Sequence, residues 1–64
     1  MKDVIKVGGT TYEVSTDLSK AGKFQTILSI IGEGRVATKS SKTLQGAFEA
    51  HQYVMEHASE MVNN

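Results

Sequence analysis

The last third of the chain keeps one apolar stripe at helical spacing, and that stripe constrains everything before it. Leu44, Ala47, Phe48, His51, Val54, Met55, Ala58, Met61 and Val62 recur at i, i+3, i+4 and i+7, the rhythm of a helix with one buried face. Gln45, Glu49, Gln52, Glu56, His57 and Glu60 fall on the other side. A single amphipathic helix must bury its stripe against another layer, so the residues before it have to supply an apolar face. Thr43 is the natural N-cap of this helix over residues 43–62, with Ser40 and Ser41 as neighbouring candidates. Gly46 costs about 1 kcal/mol relative to alanine in a helix interior, so its first-turn position suggests a close approach to the sheet. No Lys or Arg follows residue 43, which leaves packing rather than the macrodipole to hold the helix. Phe48, central in the stripe, is expected to be the main anchor, packing against Phe24 or Leu28.

The earlier residues read as strands. Val4 to Val7 is rich in β-branched residues, and Thr10 to Ser15 places Tyr12 and Val14 on one side. Gly8-Gly9 between them predicts a two-residue hairpin turn, since primed turns need positive φ. Thr16 to Gly22 reads as a connecting loop. Residues 17–31 are ambiguous. As a helix, Leu18, Ala21, Phe24, Ile27, Leu28 and Ile31 make a stripe closed by Gly32. As a strand from Lys23, Phe24, Thr26, Leu28 and Ile30 share one face and Ile27 and Ile31 the other. Short apolar runs are not separable by periodicity. The β-branched Thr26, Ile27, Ile30 and Ile31, and the Gly32-Glu33-Gly34 turn leading into Arg35 to Ser40, favour the strand. The expected fold is therefore α+β: one domain over residues 1–64, with a small antiparallel sheet of three to four strands in two hairpins against one C-terminal helix. Asn63 and Asn64 are expected to fray.

A chain of 64 residues buries only about 60% of its unfolded surface. Without cysteine it has neither disulfides nor thiolate metal ligands. Good packing or a second chain must compensate, and a homodimer is the expectation. One helix covers one side of a sheet, so Ile27 and Ile31 on the other side are the candidate dimer interface. No segment has the apolar length of a signal peptide or a membrane span. A cytoplasmic protein with no membrane partner is expected.

Charge divides the chain as sharply as structure does. Residues 1–43 carry seven cations against four carboxylates, whereas residues 44–64 carry Glu49, Glu56 and Glu60 alone. Such a split can turn one face toward an anionic partner. Lys23, Arg35, Lys39 and Lys42, from the middle hairpin and its approaches, are the candidate nucleic-acid-binding residues. Phe24 and Phe48 are assigned to the core, leaving Tyr12 and Tyr53 as the aromatic side chains available for stacking on bases.

The run Lys20-Ala21-Gly22-Lys23-Phe24, then Gly34-Arg35-Val36-Ala37-Thr38-Lys39-Ser40 and a helix, resembles the YegP-like family of small uncharacterised β-β-β-α units over about residues 20–60. That resemblance implies a fold and no reaction. The Ser40 to Thr43 connection here is shorter than the family's glycine-containing one. The strand order also looks like the arm-binding N-terminal domains of phage-type integrases, in which a three-stranded sheet backed by one helix contacts DNA.

The residues with chemical potential have plain structural readings. His51 lies on the apolar stripe and is expected to hydrogen-bond a strand or edge an interface. His57 sits six positions on, about 240° away around a helix, so the two do not pair. Neither glycine pair has the form of a phosphate-binding loop. Ser40, Ser41 and Thr43 have no base at a fixed local spacing. The expectation is a non-enzymatic interaction or accessory module with no cofactor and no metal, binding itself or another protein. A nucleic-acid-binding module is the alternative.

Overall fold

The computed structural model describes residues 1–62; the expected fraying of Asn63 and Asn64 lies outside the described residues. Four strands precede one helix: β1 (Lys2–Val7), β2 (Thr10–Leu18), β3 (Phe24–Ile30), β4 (Gly34–Ser41) and α1 (Leu44–Val62). The strands form one antiparallel sheet in the order β1-β2-β3-β4, and the helix packs across one side. The α+β architecture is as the sequence implies.

Each turn follows from its residues. Gly8 and Gly9 have φ of +57° and +87°, the left-handed pair that a two-residue hairpin requires. The expected loop from Thr16 is shorter than supposed, because β2 runs on to Leu18, which pairs with Phe24. Thr16 and Asp17 continue the alternation of Tyr12 and Val14, and pairing with β3 satisfies their backbone. The reversal itself is confined to residues 19–23, closed by Ser19 N–H donating to Lys23 O at 2.7 Å. The sheet is thus a continuous meander of three hairpins rather than two hairpins and a loop. Residues 24–30 are a strand, which resolves the ambiguity in favour of β-branching.

A bulge interrupts β3–β4 pairing. Leu28 faces Ala37 and Ser29 faces Arg35, so Val36 is an extra residue on β4. Strand side chains alternate, and without the bulge Arg35 and Ala37 would share a face. With it, Ala37 packs on the core while Arg35 joins Ser29 on the other side.

The core lies between the sheet and α1. Tyr12, Val14, Leu28, Val54 and Ala58 form one buried cluster, edged by Ile5, Val7, Ile30, Ala37, Met55, Met61 and Val62. Ala47 is also buried, but Phe48 is not: it is 48% exposed. The expected anchor is overturned, and the geometry explains it. Phe48 lies about 100° around the helix from Ala47. The line that meets the sheet runs through Ala47, His51, Val54 and Ala58. Two of those four are alanines, which let the helix lie close. The aromatic assignment changes with it. Tyr12, sharing its parity with Val14, is the buried ring, and Phe24 is only partly buried.

Thr43 caps the helix as expected. Gly46 N–H donates to Thr43 Oγ1 at 3.0 Å, and Ala47 N–H to Thr43 O at 2.9 Å. A Cβ on Gly46 would stand 3.1 Å from Thr43 Oγ1 and 3.5 Å from Ser41 Cβ. The glycine therefore makes room for the cap and the end of β4.

Candidate functional site

A buried polar network joins three strands to the helix. His51 projects from α1 into the core and is 3% exposed. Its Nδ1 lies 2.7 Å from Thr16 Oγ1 on β2, and Thr16 Oγ1 lies 2.8 Å from Thr26 Oγ1 on β3. Its Nε2 lies 2.7 Å from Asp3 Oδ2 on β1. Asp3, Thr16 and Thr26 each stand at core parity on their strands, as their neighbours Ile5, Val14 and Leu28 show.

Proton counting fixes the direction of the chain. An ionised Asp3 only accepts, so Nε2–H donates to it. Thr16 O–H then donates to Nδ1, and Thr26 O–H donates to Thr16 Oγ1, leaving no member wanting. The reversed order would end on Thr26 and leave its proton without an acceptor among the described residues. No buried side-chain nitrogen or oxygen lacks a partner among the described residues.

Hydroxyl, imidazole and carboxylate in line are the groups of a nucleophilic triad, yet the setting differs. Thr16 is 5% exposed and Thr26 1%, so the hydroxyl is enclosed by its own partners. What the network does is tie β1, an edge strand with one sheet neighbour, to the helix. The sequence marks His51 but not its partners; the available signal was one polar residue at core parity on each of three strands. His57, by contrast, stacks on Tyr53 with ring centroids 4.2 Å apart.

The surfaces divide by charge. On the sheet face away from the helix, register places Lys2, Val4 and Lys6 from β1 beside Thr11, Glu13 and Ser15 from β2. Asp17 from β2, Gln25, Ile27 and Ser29 from β3, and Arg35, Thr38 and Ser40 from β4 complete it. Lys2 Nζ pairs with Glu13 at 3.6 Å. Cations thus stand on both edge strands of this uncovered face, while Glu49 and Glu56 line the solvent side of α1.

The four cations singled out from sequence do not share one face. Lys23 and Lys42 flank the paired Phe24 and Ser41 at one end of the sheet. Arg35 is at the other end, on the uncovered face. Lys39 is on the helix side, with Nζ 4.5 Å from the centroid of the Tyr53 ring. Of the two isoleucines, Ile27 sits mid-face between Ser15 and Thr38. Ile31 lies past the strand end and is exposed, about 13 Å further along at strand spacing. The exposed apolar side chains also include Met1, Leu18, Leu44 and Phe48, which the sequence did not offer as surface.

Among the described residues no group of three or more His, Cys, Asp or Glu side chains could hold a metal ion, and no helix is long and apolar enough to cross a membrane. Compared with family models, curated proteins and solved structures, the chain matches none.

Proposed function

We propose that this chain is a non-enzymatic interaction module that engages its partner through the uncovered face of the sheet. The observation that carries the reading is that face itself. It is rich in Ser, Thr and Gln, and Lys2, Lys6 and Arg35 on its two edge strands outnumber Glu13 and Asp17 on β2. Hydroxyl, amide and cationic side chains are the groups that contact phosphate and sugar oxygens, so an anionic polymer, nucleic acid, is the partner class it favours. The acidic helix lies on the opposite side and would orient the approach. The enclosed Thr16–His51–Asp3 chain supports the absence of catalysis, because its hydroxyl offers a substrate no space.

Titration of a short DNA duplex at low salt tests this reading. Binding should weaken as salt rises, and Lys6→Ala with Arg35→Ala should lower the slope by about 0.9 for each phosphate no longer neutralised. No binding at low salt would sink it. One observation favours a second reading, a homodimer over the same face: Ile27 and Val4 are its apolar members. Sedimentation of the same sample at micromolar concentration reads that alternative, and a dimer reduced to monomer by Ile27→Lys would replace the first reading with the second. A cytoplasmic setting is consistent with either.

A further inference from the structure

The solvent side of α1 carries a shallow groove of about 380 Å³ lined by Phe48, Glu49, Gln52, Tyr53 and Glu56. It lies across the helix from the core and apart from the uncovered sheet face. Its chemistry is of two kinds. Phe48 and Tyr53 are both nearly half exposed, and aromatic rings attract cations to their faces. Glu49 and Glu56 stand between and beside them, and α1 has no Lys or Arg of its own. One cation already answers to this chemistry: Lys39 reaches from β4 to place its ammonium over Tyr53. His57 stacks on the same ring and, from Nδ1, bonds Tyr53 O at 3.0 Å, so Tyr53 is a fixed wall rather than a free rotor. Phe48 has no ring or cation contact among the described residues.

We propose that this groove is a docking site for a cationic peptide segment, in which Arg or Lys alternates with apolar residues. The cationic head lies between the Glu49 and Glu56 carboxylates, and the apolar neighbour covers the exposed Phe48 ring. Charge complementarity identifies the occupant. An acidic or nucleic-acid partner would be repelled by the carboxylates, and a purely apolar segment would desolvate them without compensation. The module then has two faces of opposite charge, one for an anionic polymer and one for a basic stretch of protein, and the second stands whether or not the first does.

A fluorescein-labelled heptapeptide, Gly-Arg-Leu-Ser-Arg-Leu-Gly, is the probe, followed by anisotropy and by amide chemical-shift mapping. Shifts should cluster at Phe48, Glu49, Gln52 and Glu56. The double change Glu49→Gln and Glu56→Gln should weaken binding about tenfold. The control Asp17→Asn with Glu33→Gln, equal in charge but remote, should leave it within about twofold. Phe48→Ala should weaken it independently of salt, since it removes packing rather than charge. Three results would overturn the proposal: equal loss in both double variants, shifts confined to the sheet, or concentration-dependent shifts at the groove without peptide. The last would mean that a second copy of the chain is the occupant.

Discussion

Leu28→Ala should leave the domain largely unfolded at 25 °C. Leu28 is wholly buried, lies on an inner strand between Val14 and Ala37, and shares a cluster with Val54 and Ala58. Truncating such a leucine costs about 2–5 kcal/mol. A core of this size rarely supplies more than about 3–5 kcal/mol in total, so the loss is comparable with the whole stability. Phe48→Ala, in contrast, removes a larger side chain from a half-exposed position and should cost less than about 1 kcal/mol. Far-UV circular dichroism through a urea titration compares the two. If Phe48→Ala proves the more damaging, α1 meets the sheet through a different line of residues from Ala47, His51, Val54 and Ala58.

Thr16→Val should be the second severe change, even though it keeps the shape of the side chain. Valine removes the hydroxyl that donates to His51 Nδ1 and accepts from Thr26. It therefore strands two buried polar groups, at about 1–3 kcal/mol each. Thr16→Ser keeps the hydroxyl and should melt much closer to the parent. Asp3→Ala leaves only His51 Nε2–H wanting, at a site where the carboxylate is half exposed, and water can take its place. Its cost should be smaller than that of Thr16→Val. A ranking with Asp3→Ala first would show that the network is held from β1 rather than from the core. Long-range nitrogen-15 spectra of the imidazole should report the Nε2–H tautomer.

Sequence alone made the fold legible where periodicity and turn chemistry agreed. Gly8-Gly9 and Gly32-Glu33-Gly34 located two hairpins, β-branching placed residues 24–30 in a strand, and Thr43 marked the cap. It failed where the stripe is wider than the contact. Phe48 was expected inside because it is central in the stripe, but the helix meets the sheet along the line of Ala47, His51, Val54 and Ala58. The network was hidden for a related reason. Asp3 reads as a charged terminal residue, Thr16 as the start of a loop, and Thr26 as ordinary strand grammar. Their common parity becomes visible only once the register of β1, β2 and β3 is known. Of the cationic set, Arg35 and Lys39 part to opposite faces because Val36 breaks the strict alternation along β4.

That extra residue makes β4 a place where the chain can change its length by one without changing what it shows to either side. Removing Val36 would join Arg35 directly to Ala37, and the two would still meet Ser29 and Leu28, now in unbroken alternation. The Gly34 turn and the run into the Thr43 cap would both keep their places. The same deletion inside β2 would turn either the residues before it or those after it to the wrong side, and Val14 and Thr16 could no longer both face the helix. Tolerance of a lost codon in this fold is therefore local, and it sits at the edge strand, where no further strand has to follow the adjustment.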